Sequence, residues 1–219
     1  MKKIIRSLST ESLLLLFFAV PYNFLAYLGG RQLARQRYHH CLSTVFDDAV
    51  PLLPWTMIIY WGCYVFWIIN YYLGTKSDPS GSNRFIKTHY IGETIAFLFF
   101  VFFPTTMNRP DVIGNGPFLD ILKIQYSLDS ADNLLPSIHC FASWLCWIGV
   151  RGNHRIPKWY RHLSLLLAVS ICISTLTVKQ HVIADIMASI FLAEVSFIIA
   201  GLPKGGMEYE FTNNTDSRG

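Results

Sequence analysis

Six long apolar stretches, separated by polar connections, determine the hydropathy pattern of the sequence. They cover residues 11–29, 50–73, 87–105, 134–151, 160–179 and 181–201. Because the hydrocarbon core of a bilayer is about 30 Å thick, a helix needs about 20 mostly apolar residues to cross it. The pattern therefore predicts an all-α integral membrane protein, in which residues 1–203 form one six-transmembrane-helix bundle and residues 204–219 a polar C-terminal tail.

The first stretch follows a basic start with Lys2, Lys3 and Arg6, which resembles the beginning of a signal peptide. Pro21 and Asn23 interrupt its apolar run and no small-residue cleavage site follows, so we predict a retained helix. The composition supports a membrane protein, since 52% of the 219 residues are hydrophobic and 15% are aromatic.

The charge distribution predicts the orientation of the bundle. The connection 151–162 carries four basic residues and no acid, and short loops of this kind stay in the cytoplasm. Both termini and the 74–86 loop are then cytoplasmic, whereas the 30–49 loop, the 106–133 loop and the turn at 179–181 face outside. We therefore expect a multi-pass protein of a bacterial plasma membrane.

Three arginines, Arg31, Arg35 and Arg37, lie on the outer side in this scheme, against the positive-inside rule. The basic start, the 151–162 cluster and the acidic 106–133 loop all favour the scheme, and we keep it. Because the net charge of +4 lies in short loops and forms no stripe with interleaved aromatic residues, we expect membrane lipids, and no nucleic acid, as partners.

The connections also carry structural signals. Residues 76–84 are dense in turn formers and predict a plain cytoplasmic loop. Residues 31–50 mix basic, aromatic and small polar side chains, which predicts a short amphipathic helix at the membrane interface. The 106–133 loop is long for a bundle connection and ends directly before Leu134, and loops of that length are usually functional or disordered.

Four of the five cysteines lie within predicted helices, and their spacing fits neither a metal site nor a disulfide framework. We interpret them as small buried apolar residues; they are Cys63, Cys140, Cys146 and Cys172. The fifth, Cys41, has no assigned place. Glu93 and Glu194 lie deep inside apolar sequence, and we predict that they bond to neighbouring helices or to basic residues of inner loops rather than forming a proton path.

Polar motifs at three helix ends are predicted to meet on the outer membrane face. They are Arg-Pro after the third stretch, Pro-Ser-Ile-His at the start of the fourth and His-Val-Ile-Ala-Asp at the start of the sixth, at residues 109–110, 136–139 and 181–185. Asp185 lies one helical turn after His181, where it can fix the tautomer and orientation of the ring. Together the motifs supply the cationic donors, the nucleophile and the acid that phosphoryl transfer requires.

Each motif alone has an ordinary structural explanation. A His with an Asp four residues later arises easily by chance, and Pro-Ser-Ile-His is typical of a plain helix start with a Ser cap. Arg109 alone is more typical of a lipid headgroup contact. The order, the spacing and the common membrane side of the three motifs favour a joint catalytic role.

This order of motifs across six helices resembles the type 2 phosphatidic acid phosphatase superfamily, which is related to vanadium haloperoxidases. The resemblance covers roughly residues 87–201. It implies that His181 attacks phosphorus and forms a phosphohistidine, that Asp185 orients this ring, and that His139 protonates the departing oxygen. It also implies that Ser137, near a helix N-terminus, and Arg109 bind the phosphate group.

The chain departs from the superfamily pattern at two positions. Phe102 stands where the first motif usually has a Lys, and Thr175 stands where the third motif usually has an Arg. Lys179 can replace one of these phosphate cations, or it can be a snorkelling interfacial anchor. The Lys-Gln-His sequence at 179–181 resembles the third motif of a divergent bacterial branch with small inner-membrane members, which also resembles the sphingolipid synthases.

The expected function is that of a membrane lipid phosphatase, which hydrolyses a lipid phosphate or diphosphate at the extracytoplasmic end of the bundle. The expected catalytic residues are His181, His139 and Asp185, and the expected phosphate ligands are Arg109, Ser137 and Lys179. No metal and no cofactor is expected, because the sequence has no carboxylate cluster to hold an ion. Two alternatives stay open: a lipid headgroup phosphotransferase that uses an alcohol acceptor, and a non-catalytic lipid-phosphate binder.

Overall fold

The computed structural model of the chain describes residues 10–76 and 79–202, and helices account for most of them. These helices are α1 (Thr10–Ala34), α2 (Val45–Ala49), α3 (Met57–Thr75), α4 (Pro79–Phe102), α5 (Pro117–Leu128), α6 (Ile138–Arg151), α7 (Lys158–Thr177) and α8 (Ile183–Ala200). A 3-10 turn, Pro54–Thr56, leads into α3. Two short strands, β1 (His40–Cys41) and β2 (Thr105–Thr106), pair with each other.

Within the described residues, four helical segments are long and apolar enough to cross a bilayer. They are Pro54–Thr75, Ser80–Phe102, Lys158–Thr177 and Ile183–Ala200. This result is consistent with an all-α membrane protein. The first and fourth apolar stretches form α1 and α6, which are not among these segments. α6 has only 14 residues, or about 21 Å at 1.5 Å per residue, which is less than the ~30 Å of a bilayer core.

α6 lies at the centre of the bundle and packs against α3, α4, α7 and α8. Its side chains Phe141, Leu145 and Ile148 belong to an apolar cluster that also contains Phe85 and Phe100 of α4. The residues at the start of α6 are therefore surrounded by other helices. Any polar group there needs a partner within the protein or in a ligand.

Contacts between helices fix their relative directions. Asn23 of α1 donates to Glu93 of α4 over 2.7 Å, and further along both helices Tyr27 meets Phe100, so α1 and α4 run parallel. Contacts of the same kind show that α3, α6 and α8 run parallel to one another. These three helices run antiparallel to α4 and α7. Thus α1, α4 and α7 end, and α3, α6 and α8 begin, at one end of the bundle, which we call the His181 end.

The strands β1 and β2 join two long connections at the His181 end. They pair in parallel, with His40 opposite Thr105. The hydroxyl oxygen of Thr105 accepts the backbone amides of Leu134 and Leu135, over 3.1 and 2.9 Å. The segment that leads into α6 is therefore attached to the strand pair.

The loop predicted at 76–84 is wrong, because α4 begins at Pro79, inside that range. Proline is well tolerated in the first turn of a helix, and Arg84, further along α4, has a partner on α8. Nε of Arg84 donates to the carbonyl oxygen of Phe197 over 2.9 Å, and the guanidinium lies 3.6 Å from the centre of the Phe197 ring. Tertiary contacts thus override the turn-forming composition.

The long connection 106–133 contains an ordered helix, α5. Its side chain Leu122 is buried against Met57, Tyr60 and Val178, so this connection packs onto the His181 end. The 31–50 segment contains one separate helix, α2, which is only five residues long, and α1 continues to Ala34.

The acids and thiols within the helices agree with the sequence prediction. The four cysteines within helices are buried free thiols, whereas Cys41 is exposed on β1. Glu194 accepts two hydrogen bonds from the guanidinium of Arg151, over 2.5 and 2.8 Å. Glu93 accepts a hydrogen bond from Asn23. Both acids are therefore bonded to neighbouring helices, as predicted.

Gly92 allows a close approach of α4 to α6, because a Cβ at this position would collide with the ring of Phe141. We expect Gly92→Ala to destabilise the protein by about 1–3 kcal/mol, since overpacking displaces the ring or the helix. Gly62→Ala on α3 is the matched control, because nothing lies within 4 Å of its Cβ position. Thermal unfolding in detergent compares the two variants. A Tm for Gly92→Ala equal to that of the unaltered protein would contradict this packing.

Candidate active site

His181 and Asp185 form a hydrogen-bonded pair at the start of α8. Nδ1 of His181 lies 3.1 Å from Oδ2 of Asp185, whose side chain is fully buried. The same oxygen accepts the backbone amide of Val182 over 3.0 Å, so the carboxylate both caps α8 and orients the ring. The contact that the His-x-x-x-Asp spacing predicts is confirmed. With Nδ1 donating to the carboxylate, Nε2 is the basic nitrogen of the neutral ring.

The surroundings of His181 favour its protonated form. Burial by itself lowers the pKa of an imidazole, but the hydrogen bond and the negative charge of Asp185 more than offset it. The pKa of His181 is therefore raised above its ordinary value of 6.5. At low pH the ring is an imidazolium paired with a carboxylate, and at higher pH it becomes a neutral nucleophile.

A Schellman motif at the end of α7 sets the path of the backbone into His181. Lys179 has a φ of 54°, in the left-handed region that this motif requires. Its amide donates to the carbonyl oxygen of Leu176 over 3.1 Å, and the amide of Gln180 donates to that of Thr175 over 2.9 Å. The amide of His181 shares the Thr175 oxygen over 3.2 Å. The carbonyl groups that end α7 thus hold the backbone of the proposed nucleophile.

Asp47 on α2 is a site residue that sequence reasoning missed. Its Oδ1 accepts the amide of Ile183, the first residue of α8, over 2.7 Å. Its Oδ2 accepts both the amide and the hydroxyl of Thr44, over 2.8 and 2.7 Å. The spacing Thr44-x-x-Asp47, which is typical of a capping box, is the sequence signal for this acid. The contact with Ile183, far along the chain, has no such signal.

The charge state of Asp47 follows from these contacts. Burial raises the pKa of its carboxyl group, but the hydrogen bonds from Thr44 and Ile183 lower it by more, so the pKa is below its ordinary value of 3.8. The ammonium group of Lys179 donates to the backbone carbonyl of Asp47 over 2.7 Å and also lowers this pKa. The Lys179 side chain is thus attached to α2 in the structure.

His139, the second residue of α6, lies within an aromatic group on α3. Its ring stacks on that of Tyr60, with centroids 4.5 Å apart and an interplanar angle of 26°. The rings of Trp67 and Tyr64 lie 5.5 and 6.3 Å away. Nδ1 is 3.5 Å from the Tyr60 hydroxyl, a weak contact. Nε2 is buried and has no hydrogen-bond partner among the described residues.

The rings of His139 and His181 lie close together at the starts of α6 and α8. Their centroids are 6.4 Å apart and their planes are inclined by 53°. An attacking atom lies about 3–3.5 Å from phosphorus before reaction, and a hydrogen bond to a phosphate oxygen is about 2.8 Å. The separation of the rings therefore suits one phosphoryl group placed between them.

Arg109 binds the turn that precedes His181. Its guanidinium donates to the carbonyl oxygen of Lys179 over 3.2 Å, to Oε1 of Gln180 over 2.8 Å and to the carbonyl oxygen of Asp129. It also stacks on Tyr126, 4.8 Å from the ring centre. Since an arginine has five N–H donors, two are left for a ligand. Gln180 and Tyr126 were not predicted from the sequence.

Ser137 is buried and caps α6. Its hydroxyl oxygen accepts the amide of Cys140 over 3.3 Å, and its carbonyl oxygen accepts the hydroxyl of Ser189 over 2.9 Å. The amides of Ile138 and His139 lie in the first turn of α6, where no intrahelical acceptor is in reach. This end of α6 therefore offers backbone donors and a positive dipole end to an anion.

The structure thus brings His181, Asp185 and His139 together at the His181 end, where the Arg109 side chain binds the turn before His181. Ser137 lies at the start of the same helix as His139. Lys179 is on the same turn as His181, but its ammonium contacts α2. Side chains with buried polar atoms that lack a partner among the described residues include Asn133, His139, Gln180 and Asp185. Such groups are uncommon in folded proteins and are typical of ligand sites.

Comparison of the chain with protein-family models, with curated proteins and with solved structures finds no match. Within residues 10–76 and 79–202, no group of three or more His, Cys, Asp or Glu side chains is placed to hold a metal ion.

We expect Asp185→Asn to lower the pKa of His181 below its ordinary value, because burial is then no longer offset by a carboxylate. Ring ¹⁵N chemical shifts measured against pH give this pKa directly, and Asp120→Asn on the exposed face of α5 is the control. In the unaltered protein the pair stabilises the fold fully below the unfolded-state pKa, and this stability is lost as pH rises through the raised folded-state pKa. An unchanged His181 pKa in Asp185→Asn would overturn this account of the pair.

Proposed function

We propose that this protein is a membrane lipid phosphatase of the type 2 phosphatidic acid phosphatase superfamily. It hydrolyses a lipid phosphate or diphosphate through a phosphohistidine intermediate. The observation that supports this most directly is the 6.4 Å separation of the His139 and His181 rings, together with the carboxylate on Nδ1 of His181. Two imidazoles, one of them oriented by an acid, are the groups that a two-step phosphoryl transfer needs.

In the first step, Nε2 of His181 attacks phosphorus in line and the bond from phosphorus to the leaving oxygen breaks. Nε2 of His139 gives its proton to that oxygen, so the alcohol or phosphate leaves in neutralised form. Nδ1–H of His181 continues to donate its hydrogen bond to Asp185, and the carboxylate stabilises the positive charge of the phosphorylated ring. In the second step, neutral His139 takes a proton from water, the water oxygen attacks phosphorus, and the N–P bond breaks.

The charge on the phosphoryl oxygens is stabilised by groups at the start of α6 and on the neighbouring turn. The first-turn amides of α6 and the Ser137 hydroxyl donate hydrogen bonds, and the free N–H groups of Arg109 add a positive charge. Because these donors are held by the fold before substrate binds, little reorganisation is needed in the transition state. Lys179 contributes by its charge rather than by direct contact.

In the membrane, we propose that all six apolar stretches cross the bilayer and that the His181 end faces outside, with both termini in the cytoplasm of a bacterial cell. Two observations support this scheme. Arg31, in the last turn of α1, is paired with Asp132 over 3.0 Å, which neutralises a charge that conflicts with the positive-inside rule. The basic connection 151–162 lies at the opposite end of the bundle. The lipid tails then pack against the exposed apolar faces of the helices.

His181→Ala and His139→Ala are each expected to reduce phosphate release from lipid phosphates by about 10⁴-fold or more, since each removes a group that makes or breaks a bond. His154→Ala is the control, because His154 is exposed in the connection between α6 and α7, far from the His181 end. Asp185→Asn is expected to be severe but leaky. The assay uses purified protein with phosphatidate, phosphatidylglycerophosphate and a polyprenyl diphosphate.

Near-normal phosphate release from either histidine variant would end the proposal. If the unaltered protein binds these lipids without turnover, it is a lipid-phosphate binder instead. A pulse with ³²P-labelled substrate adds a direct test, because acid-labile, base-stable label should appear on the unaltered protein when it is quenched during turnover and be absent from the His181→Ala protein.

A second candidate function is that of a lipid headgroup phosphotransferase, which passes the phosphoryl group to an alcohol rather than to water. The charge of the site favours this alternative for phosphodiester lipids. Three N–H groups of Arg109 and the ammonium group of Lys179 already donate to protein oxygens, so few cationic donors are left to contact a dianion directly. A phosphodiester carries one negative charge and needs less compensation.

The acceptor distinguishes the two functions. With a phosphodiester lipid and a labelled diacylglycerol or ceramide acceptor, a phosphotransferase is expected to form more labelled phosphodiester than free headgroup phosphate. A phosphatase is expected to release headgroup phosphate and to leave the labelled acceptor unconverted. His181→Ala serves as the blank in both assays, because the intermediate is shared.

A further inference from the structure

Every backbone amide from residue 179 to residue 183 has a hydrogen-bond partner. The first three are bound by carbonyl groups of α7, the amide of Val182 by Asp185, and the amide of Ile183 by Asp47. Asp47 is the one partner in this series that comes from a separate part of the chain, 136 residues away. The turn that carries His181 is thus bonded to α2 at the residue where α8 begins.

We propose that Asp47 is a positioning residue for His181, which it holds by accepting the amide of Ile183 and by anchoring Lys179 through its backbone carbonyl. The two contacts lie two residues after and two residues before His181. They therefore hold both sides of the turn. The catalytic consequence of this inference rests on the proposed function, whereas the contacts themselves do not.

Contacts within its own segment orient the Asp47 carboxylate towards the turn. Thr44 donates to Oδ2 from both its amide and its hydroxyl, so Oδ1 is aimed at Ile183. The side chain is buried, where a negative charge near the N-terminus of α8 interacts more strongly with the helix dipole than it would in water. The orientation of Asp47 on α2 therefore does not depend on α8, and α2 can hold the start of α8 in place.

An asparagine at position 47 cannot replace the carboxylate. Three donors converge on the two oxygens of Asp47, but an asparagine has one oxygen, and its NH₂ group would face one of the donors. The amide of Ile183 or the Thr44 donors must then lose a bond. Since a shift of the nucleophile by about 1 Å can reduce turnover by about 100-fold, the effect is expected in kcat rather than in KM.

Asp48 provides a matched control, because it is the adjacent acid on the same short helix and its side chain is exposed. Asp47→Asn and Asp48→Asn make the same change of charge one residue apart. Thr44→Val is a second variant, which keeps the carboxylate but removes one of the bonds that aim it. Because Thr44 is at the surface, its substitution is expected to leave the fold intact. Thr44→Val therefore still tests the proposal if Asp47→Asn does not fold.

The experiment measures two properties of the four full-length proteins in lipid nanodiscs: hydrogen exchange of the 179–183 amides, and kcat and KM for phosphate release from a lipid phosphate. For Asp47→Asn we expect exchange at Ile183 to be about tenfold faster or more, and kcat to fall about tenfold or more with KM within about twofold. Thr44→Val should show the same pattern to a smaller degree. Asp48→Asn should match the unaltered protein in both properties.

If Asp47→Asn and Asp48→Asn behave alike in exchange and in kcat, the positioning role is overturned and the proposed function stands. An equal rise in KM and fall in kcat for Asp47→Asn also overturns it, because that result indicates general damage to the site. If the unaltered protein has no turnover, the proposed function fails, and the exchange rates alone decide whether Asp47 holds the turn.

Discussion

A turn at the edge of an apolar bundle must give a hydrogen-bond partner to each backbone amide that lies away from water. Between α7 and α8 this requirement is met by the carbonyl groups that end α7 and by two carboxylates that bind the start of α8. One carboxylate is that of Asp185 on α8 itself, and the other is that of Asp47 on α2. The position of His181 follows from these bonds, because both its backbone and its ring are held. The interactions that begin α8 are therefore the same interactions that orient the proposed nucleophile.

His139 is held in a different way. Its ring is stacked on Tyr60 and surrounded by other aromatic rings, and its only hydrogen-bond contact among the described residues is a long one to the Tyr60 hydroxyl. Its Nε2 has no hydrogen-bond partner among the described residues, so this nitrogen is left to exchange a proton with a bound substrate or with water. The fixed pair of His181 and Asp185 and the loosely bonded His139 thus suit the two roles proposed for them.

The sequence predicted the parts of this arrangement that depend on local pattern. The length of the apolar stretches identified the main helices, and the four-residue spacing of His181 and Asp185 identified their contact. It did not predict Asp47 as a partner of α8 or the start of α4 at Pro79, because both depend on contacts between distant residues. For Lys179 the sequence predicts a phosphate cation or an interfacial anchor, which are both roles of the side chain. Its left-handed backbone, which ends α7, lies at a position where glycine is the usual signal.

The shortness of α6 has a consequence for the lipid. Its neighbours α3, α4, α7 and α8 are all longer, and His139 at its start lies level with Tyr60, the fourth residue of α3. The floor of the site is thus recessed below the rim that the longer helices form. In the proposed function, a lipid that reaches both imidazoles must bring its phosphate below the plane of the surrounding headgroups. On that proposal, slim or flexible headgroups are accepted, and bulky, rigid ones are excluded at the rim.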